Sequence, residues 1–269
     1  MDYTINVRGQ LFDLGTPVVM GILNVTPDSF YADSRMQTEK EIAVRTQQIV
    51  QQGGVIIDVG ACSTRPGSEA VSEAEEMARL RTALPIVRRE APETVVSVDT
   101  FRPDVARMAV EEFGADIIND VGDNSSLFTL HSSLPMFHMV SRLGVAYVLT
   151  SRQPTLRDML IAFARDVQTL RDLGQKDIIL DPGFGFGKTL EQNYEVLAHM
   201  EQLQVMELPL LVGVSRKSMI YKALDIQPET SLNATTALNA IALTKGADIL
   251  RVHDVKEAVE CVKLLSHVL

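Results

Sequence analysis

Short apolar runs recur along the whole chain, and most of them end at a polar residue. Their lengths and their content of Val, Ile and Leu predict β-strands. The runs cover residues 18–23, 55–60, 95–98, 116–118, 145–150, 177–180, 210–214 and 247–250. Stretches of helical length separate most of them and are predicted at residues 39–52, 72–89, 103–112, 135–142, 157–173, 190–204, 232–245 and 255–268.

Eight strands alternating with helices predict an α/β protein with a (β/α)8 TIM-barrel fold. The length of 269 residues suits one such domain, and we expect residues 1–269 to form it. The first 17 residues alternate weakly around Gly9 and predict a short N-terminal hairpin that closes the bottom of the barrel. Barrel enzymes build their sites at the carboxyl ends of the strands, so the polar run ends predict a single site.

Composition and charge indicate which classes of partner this site could have. The net charge of −10 disfavours nucleic acid and anionic membranes, so we expect small-molecule substrates. No apolar stretch approaches the ~20 residues of a membrane span, and the first ten residues lack the apolar segment of a secretory signal. Cys62 and Cys261 form neither a disulfide framework nor a zinc spacing, which favours a reducing, cytoplasmic location. Nothing marks Cys62 as a nucleophile.

Three strand ends carry the most informative side chains, Asp99, Asn119 and Asp181. Two carboxylates and an amide could bind the donor and acceptor edge of a flat heterocycle with an aminopyrimidine face. Either aspartate could instead cap the helix that follows it, which is the better interpretation of one such residue alone. Three coordinated positions favour a binding site.

The two long segments after the first two strands, 24–38 and 60–71, predict loops over the catalytic face. Asn24 could offer its oxygen to Mg²⁺ or its amide to a phosphate, although an ordinary turn would also explain it. Arg65 precedes a Pro-Gly turn and could contact a ligand from this loop; a solvated loop arginine is the ordinary alternative.

The segment 181–189, DPGFGFGKT, is rich in glycine but is not a phosphate loop. Pro182 stands where the Walker spacing requires glycine, and the glycines also fail the GxGxxG spacing. We expect this loop to pass tightly over a flat ligand, with Phe184 or Phe186 stacking on it.

Cations follow the last two strands of this acidic chain. Arg216 and Lys217 come after the seventh strand, and Arg251 and His253 belong to the eighth. The corresponding barrel loops often hold phosphate groups, so an anion-binding corner is predicted there. Surface charge is the alternative, but it explains poorly why cations stand at the ends of buried strands.

Seven segments in order make the chain similar to the dihydropteroate synthase family over nearly its whole length. They are MGILNVTPDSF (20–30), IDVGACSTRPG (57–67), SVDTFRP (97–103), IINDV (117–121), DPGFGFGKT (181–189), GVSRKS (213–218) and LRVHDV (250–255). The resemblance implies a TIM-barrel transferase of folate biosynthesis, usually a homodimer. Such an enzyme joins a dihydropterin diphosphate to 4-aminobenzoate and releases pyrophosphate.

The resemblance also implies roles for individual residues. The pterin would be held by Asp99, Asn119, Asp181 and Lys217, in a pocket lined by Phe186 and Gly213. Asn24 would bind Mg²⁺, and Arg251 and His253 the diphosphate. The aminobenzoate site would be shaped by Phe30, Thr64, Arg65, Pro66 and Ser218. The catalytic set would be Asp99, Asp181, Lys217, Arg251 and His253.

Three segments depart from the family pattern. The chain has LTSRQPT at 149–155 where LMHM is common, so a pterin-lining methionine of the family is replaced near Thr150. It has GACS at 60–63 in place of GGES, and FYADSR where sequences like SDGG are common. These changes concern pocket fit and loop behaviour. Two alternatives stay open: a pterin-dependent methyltransferase and a paralogue that binds pterin without turnover.

Overall fold

A computed structural model describes residues 3–25, 39–62, 71–122 and 130–268, with the side chains of 130–132 excepted. The strands are β1 Thr4–Val7, β2 Gln10–Asp13, β3 Val18–Asn24, β4 Ile56–Gly60, β5 Val95–Asp99, β6 Ile117–Asp120, β7 Ala146–Thr150, β8 Ile178–Asp181, β9 Leu211–Val212 and β10 Ile249–Val252. The helices are α1 Glu39–Gln51, α2 Glu73–Glu90, α3 Pro103–Phe113, α4 Leu130–Leu143, α5 Leu156–Asp172, α6 Leu190–Ala198, α7 Ser218–Leu224, α8 Leu232–Thr244 and α9 Val255–Leu265. Short 3₁₀ helices cover Met200–Met206 and Pro228–Thr230.

Eight parallel strands form the barrel, in the order β8-β7-β6-β5-β4-β3-β10-β9. A parallel bridge between Leu180 and Leu210 joins β8 to the start of β9, so the sheet closes on itself. The strands are buried on both faces because helices cover the outside and side chains fill the interior. The predicted (β/α)8 barrel is confirmed. Within the described residues, no helix has the length and apolarity that a membrane crossing requires.

The N-terminal hairpin lies under the barrel, as predicted. β1 pairs antiparallel with β2, and Gly9 turns the chain with a φ of 79°. Ile5 and Leu14 pack into a bottom core with Val95 and Ile117, near the starts of the strands. Arg8 donates from Nε to Asp116 Oδ1 at 2.8 Å, which ties the hairpin to the start of the barrel strands.

Helix boundaries differ from the sequence predictions in three places. α4 begins at Leu130 and contains Pro135 in its interior, so the prediction that the helix starts at this proline was wrong. The stretch predicted as one helix over 190–204 is α6 followed by a 3₁₀ helix, with His199 between them. The short helix α7 was not predicted, since its seven residues carry little periodic signal.

Candidate active site

The registers of neighbouring strands place the predicted polar residues side by side. Gly60 lies opposite Asp99, Asp99 opposite Asn119, and Thr150 opposite Asp181. The three polar side chains Asp99, Asn119 and Asp181 are buried, with Asp99 the most accessible at 8%. Each is at or next to the last residue of its strand, so the site is formed by the carboxyl ends, as barrel geometry requires.

The structure excludes helix capping as the role of the two aspartates. The N-cap of α3 is Arg102, which makes no side-chain cap, and the N-cap of α6 is Thr189, which forms a full capping box. Asp181 instead uses Oδ1 to accept a hydrogen bond of 2.8 Å from the Gly183 amide at the start of the following loop. Both carboxylates therefore belong to the barrel mouth.

Arg251 binds two carboxylates at once. Its Nε donates to Asp58 Oδ2 at 2.6 Å, and its Nη2 donates to Asp99 Oδ2 at 2.7 Å. Asp58 also accepts from Ser97 Oγ at 2.6 Å and from Asn119 Nδ2 at 3.1 Å. Asp58 was not predicted as a site residue, although a carboxylate within the apolar run at 55–60 was a signal that could have identified it.

One polar atom at the centre of this cluster lacks a partner. Asn119 is fully buried, and its Oδ1 accepts no hydrogen bond from the described residues. Buried polar atoms are normally satisfied, so an unpaired acceptor at a strand end indicates the place of a ligand N–H. The bond from Asn119 Nδ2 to Asp58 fixes the amide with its oxygen free.

Burial and neighbouring charges shift the pKa values of the cluster. Burial raises the pKa of Asp99 to about 7, against the opposing effect of Arg251, and the charge of Asp58 raises it further. Burial lowers the pKa of Lys217 to about 8, and Asp181 partly offsets this. For Arg251, the carboxylates of Asp58 and Asp99 outweigh burial and raise the pKa, so the guanidinium stays charged. Such perturbed groups are typical of functional sites.

The glycine-rich loop after β8 lies against Lys217. Gly183 has a φ of 66°, and a Cβ there would come within 2.0 Å of the Ser151 carbonyl oxygen, so only glycine fits. Lys217 donates to the Phe184 carbonyl oxygen, and its Nζ lies 4.6 Å from the centre of the Phe186 ring. Phe184 is fully buried in the barrel core, which leaves Phe186 as the aromatic of this loop that could contact a ligand.

The predicted corner of cations is only partly formed. His253 Nδ1 lies 3.0 Å from Ser215 Oγ, and Gly213 is buried between Arg251 and Lys217. Arg216, in contrast, makes a two-pronged ion pair with Asp254, at 2.9 and 2.7 Å. The charge of Arg216 is therefore balanced by Asp254, and its contribution to the corner stays a prediction.

The residues around Asn24 fit a magnesium ion. Asn24 Oδ1 faces the space beside Gly60, since a Cβ on this glycine would lie 3.1 Å from that oxygen. Glycine thus keeps open a small space beside a hard oxygen donor. Within the described part of the chain, no three His, Cys, Asp or Glu residues could hold a metal ion by themselves. Mg²⁺ commonly takes only one or two protein ligands and completes its shell with water and phosphate.

The structure describes only one of the residues predicted for the aminobenzoate site. Ser218 is the first residue of α7, directly after Lys217. Phe30, Thr64, Arg65 and Pro66 lie outside the described residues. The ends of the segment that holds the last three are fixed: Arg79 Nη1 donates to the Ala61 carbonyl oxygen at 3.1 Å, and Arg102 Nη2 to that of Val71 at 2.6 Å.

Fold and site together define an enzyme of the TIM-barrel class with a carboxylate and amide pocket beside a cationic edge. Residues 20–253 match the family of pterin binding enzymes. The chain is 38% identical to the dihydropteroate synthase of Escherichia coli strain K12 over 269 residues, which cover 96% of this chain and 94% of the relative.

Solved structures give the same result. A Yersinia pestis dihydropteroate synthase in complex with a sulfonamide drug superposes with a TM-score of 0.87 at 34% identity, over 99% of both chains. A Coxiella burnetii dihydropteroate synthase in complex with pteroic acid gives a TM-score of 0.86 at 32% identity, over 99% of this chain and 98% of the other. The chain therefore belongs to the pterin-binding enzyme family, among the dihydropteroate synthases.

Proposed function

We propose that the chain condenses 6-hydroxymethyl-7,8-dihydropterin diphosphate with 4-aminobenzoate, giving 7,8-dihydropteroate and pyrophosphate in folate biosynthesis. The observation that carries the proposal is the buried Asn119 Oδ1, which lies between two strand-end carboxylates and has no donor among the residues that the structure describes. This arrangement suits a flat ring whose edge presents several N–H groups. The relatives that share the fold over nearly the whole chain are named for this reaction.

Pterin binding is assigned to the cluster at the ends of β5, β6 and β8. Asp99 and Asp181 would accept ring N–H and amino groups, and Asn119 Oδ1 would accept a further N–H. Lys217 would donate to the ring carbonyl oxygen, with Phe186 and Gly213 against the ring faces. These bonds are charge-assisted and buried, so they are directional as well as strong.

Departure of the diphosphate leaves positive charge on the carbon next to the electron-rich ring. Asp99 and Asp181 would stabilise this charge, while Arg251 and His253 would bind the leaving oxygens. Asn24 would hold Mg²⁺, which when bound supplies charge for neutralising the diphosphate. Pyrophosphate departs with the electrons of the C–O bond, and the arylamine then attacks the carbon and loses a proton.

The aminobenzoate would be held by Phe30, Thr64, Arg65, Pro66 and Ser218. The reaction requires neither a covalent intermediate on the protein nor a strong base, because the carbon is already electrophilic. Burial raises the pKa of Cys62, the thiol closest in sequence to these loops, which makes it a poorer nucleophile.

Thr150 gives the pterin pocket a polar residue where the family commonly has methionine. Its Oγ1 lies 3.5 Å from Asp181 Oδ2, and the side chain is 5% exposed. A hydroxyl beside this carboxylate is compatible with pterin binding, since it can donate to the carboxylate oxygen that a ligand leaves free.

A three-component assay tests the proposal. The protein is incubated with the pterin diphosphate, Mg²⁺ and 4-aminobenzoate, and pyrophosphate is measured with each component omitted in turn. We expect release that depends on 4-aminobenzoate, with dihydropteroate formed in equal amount. Pterin binding without release would favour the non-catalytic paralogue, and methyl transfer from a methylated pterin to a corrinoid would favour the methyltransferase.

We further propose that residues 1–269 form one domain, that the enzyme acts as a homodimer, and that it works in the cytoplasm on small-molecule substrates. The two free cysteines support a reducing compartment, and the net charge of −10 supports small molecules as substrates. Light scattering of the purified protein tests the dimer.

A further inference from the structure

Asp58 is a buried carboxylate that accepts hydrogen bonds from three side chains, more than packing alone would require. It lies in the middle of β4, is fully buried, and accepts from Ser97 on β5, Asn119 on β6 and Arg251 on β10. Two of these donors, Asn119 and Arg251, belong to the proposed substrate site.

The strand register explains why Asp58 cannot touch the substrate. Asp58 lies opposite Ser97, two residues before the pair of Gly60 and Asp99 on the same strands. Side chains alternate along a strand, so Asp58 points into the barrel directly below Asp99. Asp99 is 8% exposed and Asp58 is 0% exposed, which places the second carboxylate beneath the first.

Arg251 therefore has two different carboxylate partners. Its Nε is held by the deeper Asp58, and its Nη2 by Asp99 at the mouth of the site. A ligand that requires Asp99 as an acceptor competes with Nη2, whereas the bond to Asp58 can persist. A guanidinium with one fixed end can give up its outer partner without losing its position.

We propose that Asp58 is a positioning residue that anchors Arg251 and Asn119, so that Asp99 can be released to the pterin while Arg251 turns its outer nitrogen to the leaving diphosphate. This inference rests on the proposed function and assigns no substrate contact to Asp58. Asp58 balances part of the positive charge of Arg251, which Asp99 would otherwise balance alone.

The test compares Asp58→Asn with a matched substitution, Asp116→Asn. Asp116 is also buried and arginine-paired but lies at the opposite end of the barrel. We expect Asp58→Asn to lower kcat/KM at least tenfold and to weaken binding of unphosphorylated 6-hydroxymethylpterin at least fivefold. Asp116→Asn should leave both within twofold.

A pH profile separates positioning from a merely structural effect. The charged groups that act on Asp99 are Glu76 on α2, Asp58 on β4, Asp120 on β6, Arg251 on β10 and Lys217 directly before α7. Asp181 on β8 acts on the same Arg251 and Lys217. The Asp58→Asn substitution removes a negative charge near Asp99 and leaves Arg251 paired with Asp99 alone. Both changes lower the pKa of Asp99, so the acid limb of kcat/KM should move to lower pH. Asp116→Asn should leave this limb in place.

A folded Asp58→Asn variant with kcat/KM within twofold of the wild type, or with an unmoved acid limb, would overturn the inference. If Asp58→Asn does not fold, the Ser97→Ala variant tests the inference instead, since it removes one donor to Asp58 and keeps the charge of Asp58. A two- to fivefold loss supports the inference, and unchanged activity overturns it. If the wild type releases no pyrophosphate, the proposed function fails, and pterin binding by the two variants still tests the anchor.

Discussion

The two ends of the barrel each contain a buried aspartate bound to arginine, but only one of them is satisfied. At the bottom, Asp116 accepts from Arg8 at 2.8 and 3.0 Å, from Arg88 at 2.9 Å and from the Val96 amide at 2.8 Å. Burial alone would raise the pKa of Asp116, yet these bonds outweigh it and lower the pKa. The bottom carboxylate is thus stable as an anion.

At the top, an aspartate also pairs with an arginine, but hydrogen-bonding positions remain for a ligand. Asp99 accepts from one nitrogen of the Arg251 guanidinium, whose other bonded nitrogen donates to Asp58, and the pKa of Asp99 is raised to about 7. Asn119 Oδ1 has no partner among the described residues. Full hydrogen bonding thus stabilises the fold, whereas incomplete hydrogen bonding at a strand end prepares a binding site.

The largest expected effect concerns the bottom end. Asp116→Asn should reduce the free energy of unfolding by roughly 3 kcal/mol, because it leaves arginines paired with a neutral side chain. Since the folded pKa lies below the ordinary value of 3.8, the stabilisation is present above that pH and lost as the pH falls through the folded pKa. Urea unfolding at neutral and acid pH measures this, and an unchanged midpoint at neutral pH would contradict it.

Removing a cation from the top should instead reduce catalysis. Lys217→Ala and Arg251→Ala should each lower turnover at least about tenfold, equivalent to ~1.4 kcal/mol. Both groups lie where the ring carbonyl or the departing diphosphate would be bound. Steady-state kinetics measure the loss, with Lys222→Ala on the exposed side of α7 as the matched control. Full activity in both site variants would remove these cations from the mechanism.

The smallest effect is a dependence on pH that only the top should show. Asp99 loses its charge as the pH falls below about 7, and Lys217 loses its charge as the pH rises above about 8. A bell-shaped profile of kcat/KM with limbs near these values is therefore expected. Lys217→Arg should shift the alkaline limb upward, because arginine stays charged. A profile that is flat from about pH 6 to 9 would contradict both assignments.

Much of this site could be predicted because a parallel barrel converts strand ends into neighbours. Asp99, Asn119 and Asp181 are far apart in sequence, yet each ends an apolar run, and the fold brings such ends together. The conformation of the glycine-rich loop was also foreseeable, since φ values above zero at Gly183 require glycine.

Other features could not be predicted, since they depend on which charges pair. Nothing local distinguishes Arg216 from Lys217, but the first is neutralised by Asp254 across 38 positions and the second lies over Phe186. Asp58 was missed for a similar reason, because its three donors come from three different strands.

The barrel and the set of residues at its mouth could be predicted from the amino-acid sequence, because the apolar runs and the polar residues that end them are visible in short stretches of the chain. The way charge is shared among those residues became apparent in the folded structure. Hydrogen bonding and pKa shifts depend on distances of a few ångströms between side chains that are remote in sequence, and folding alone fixes those distances.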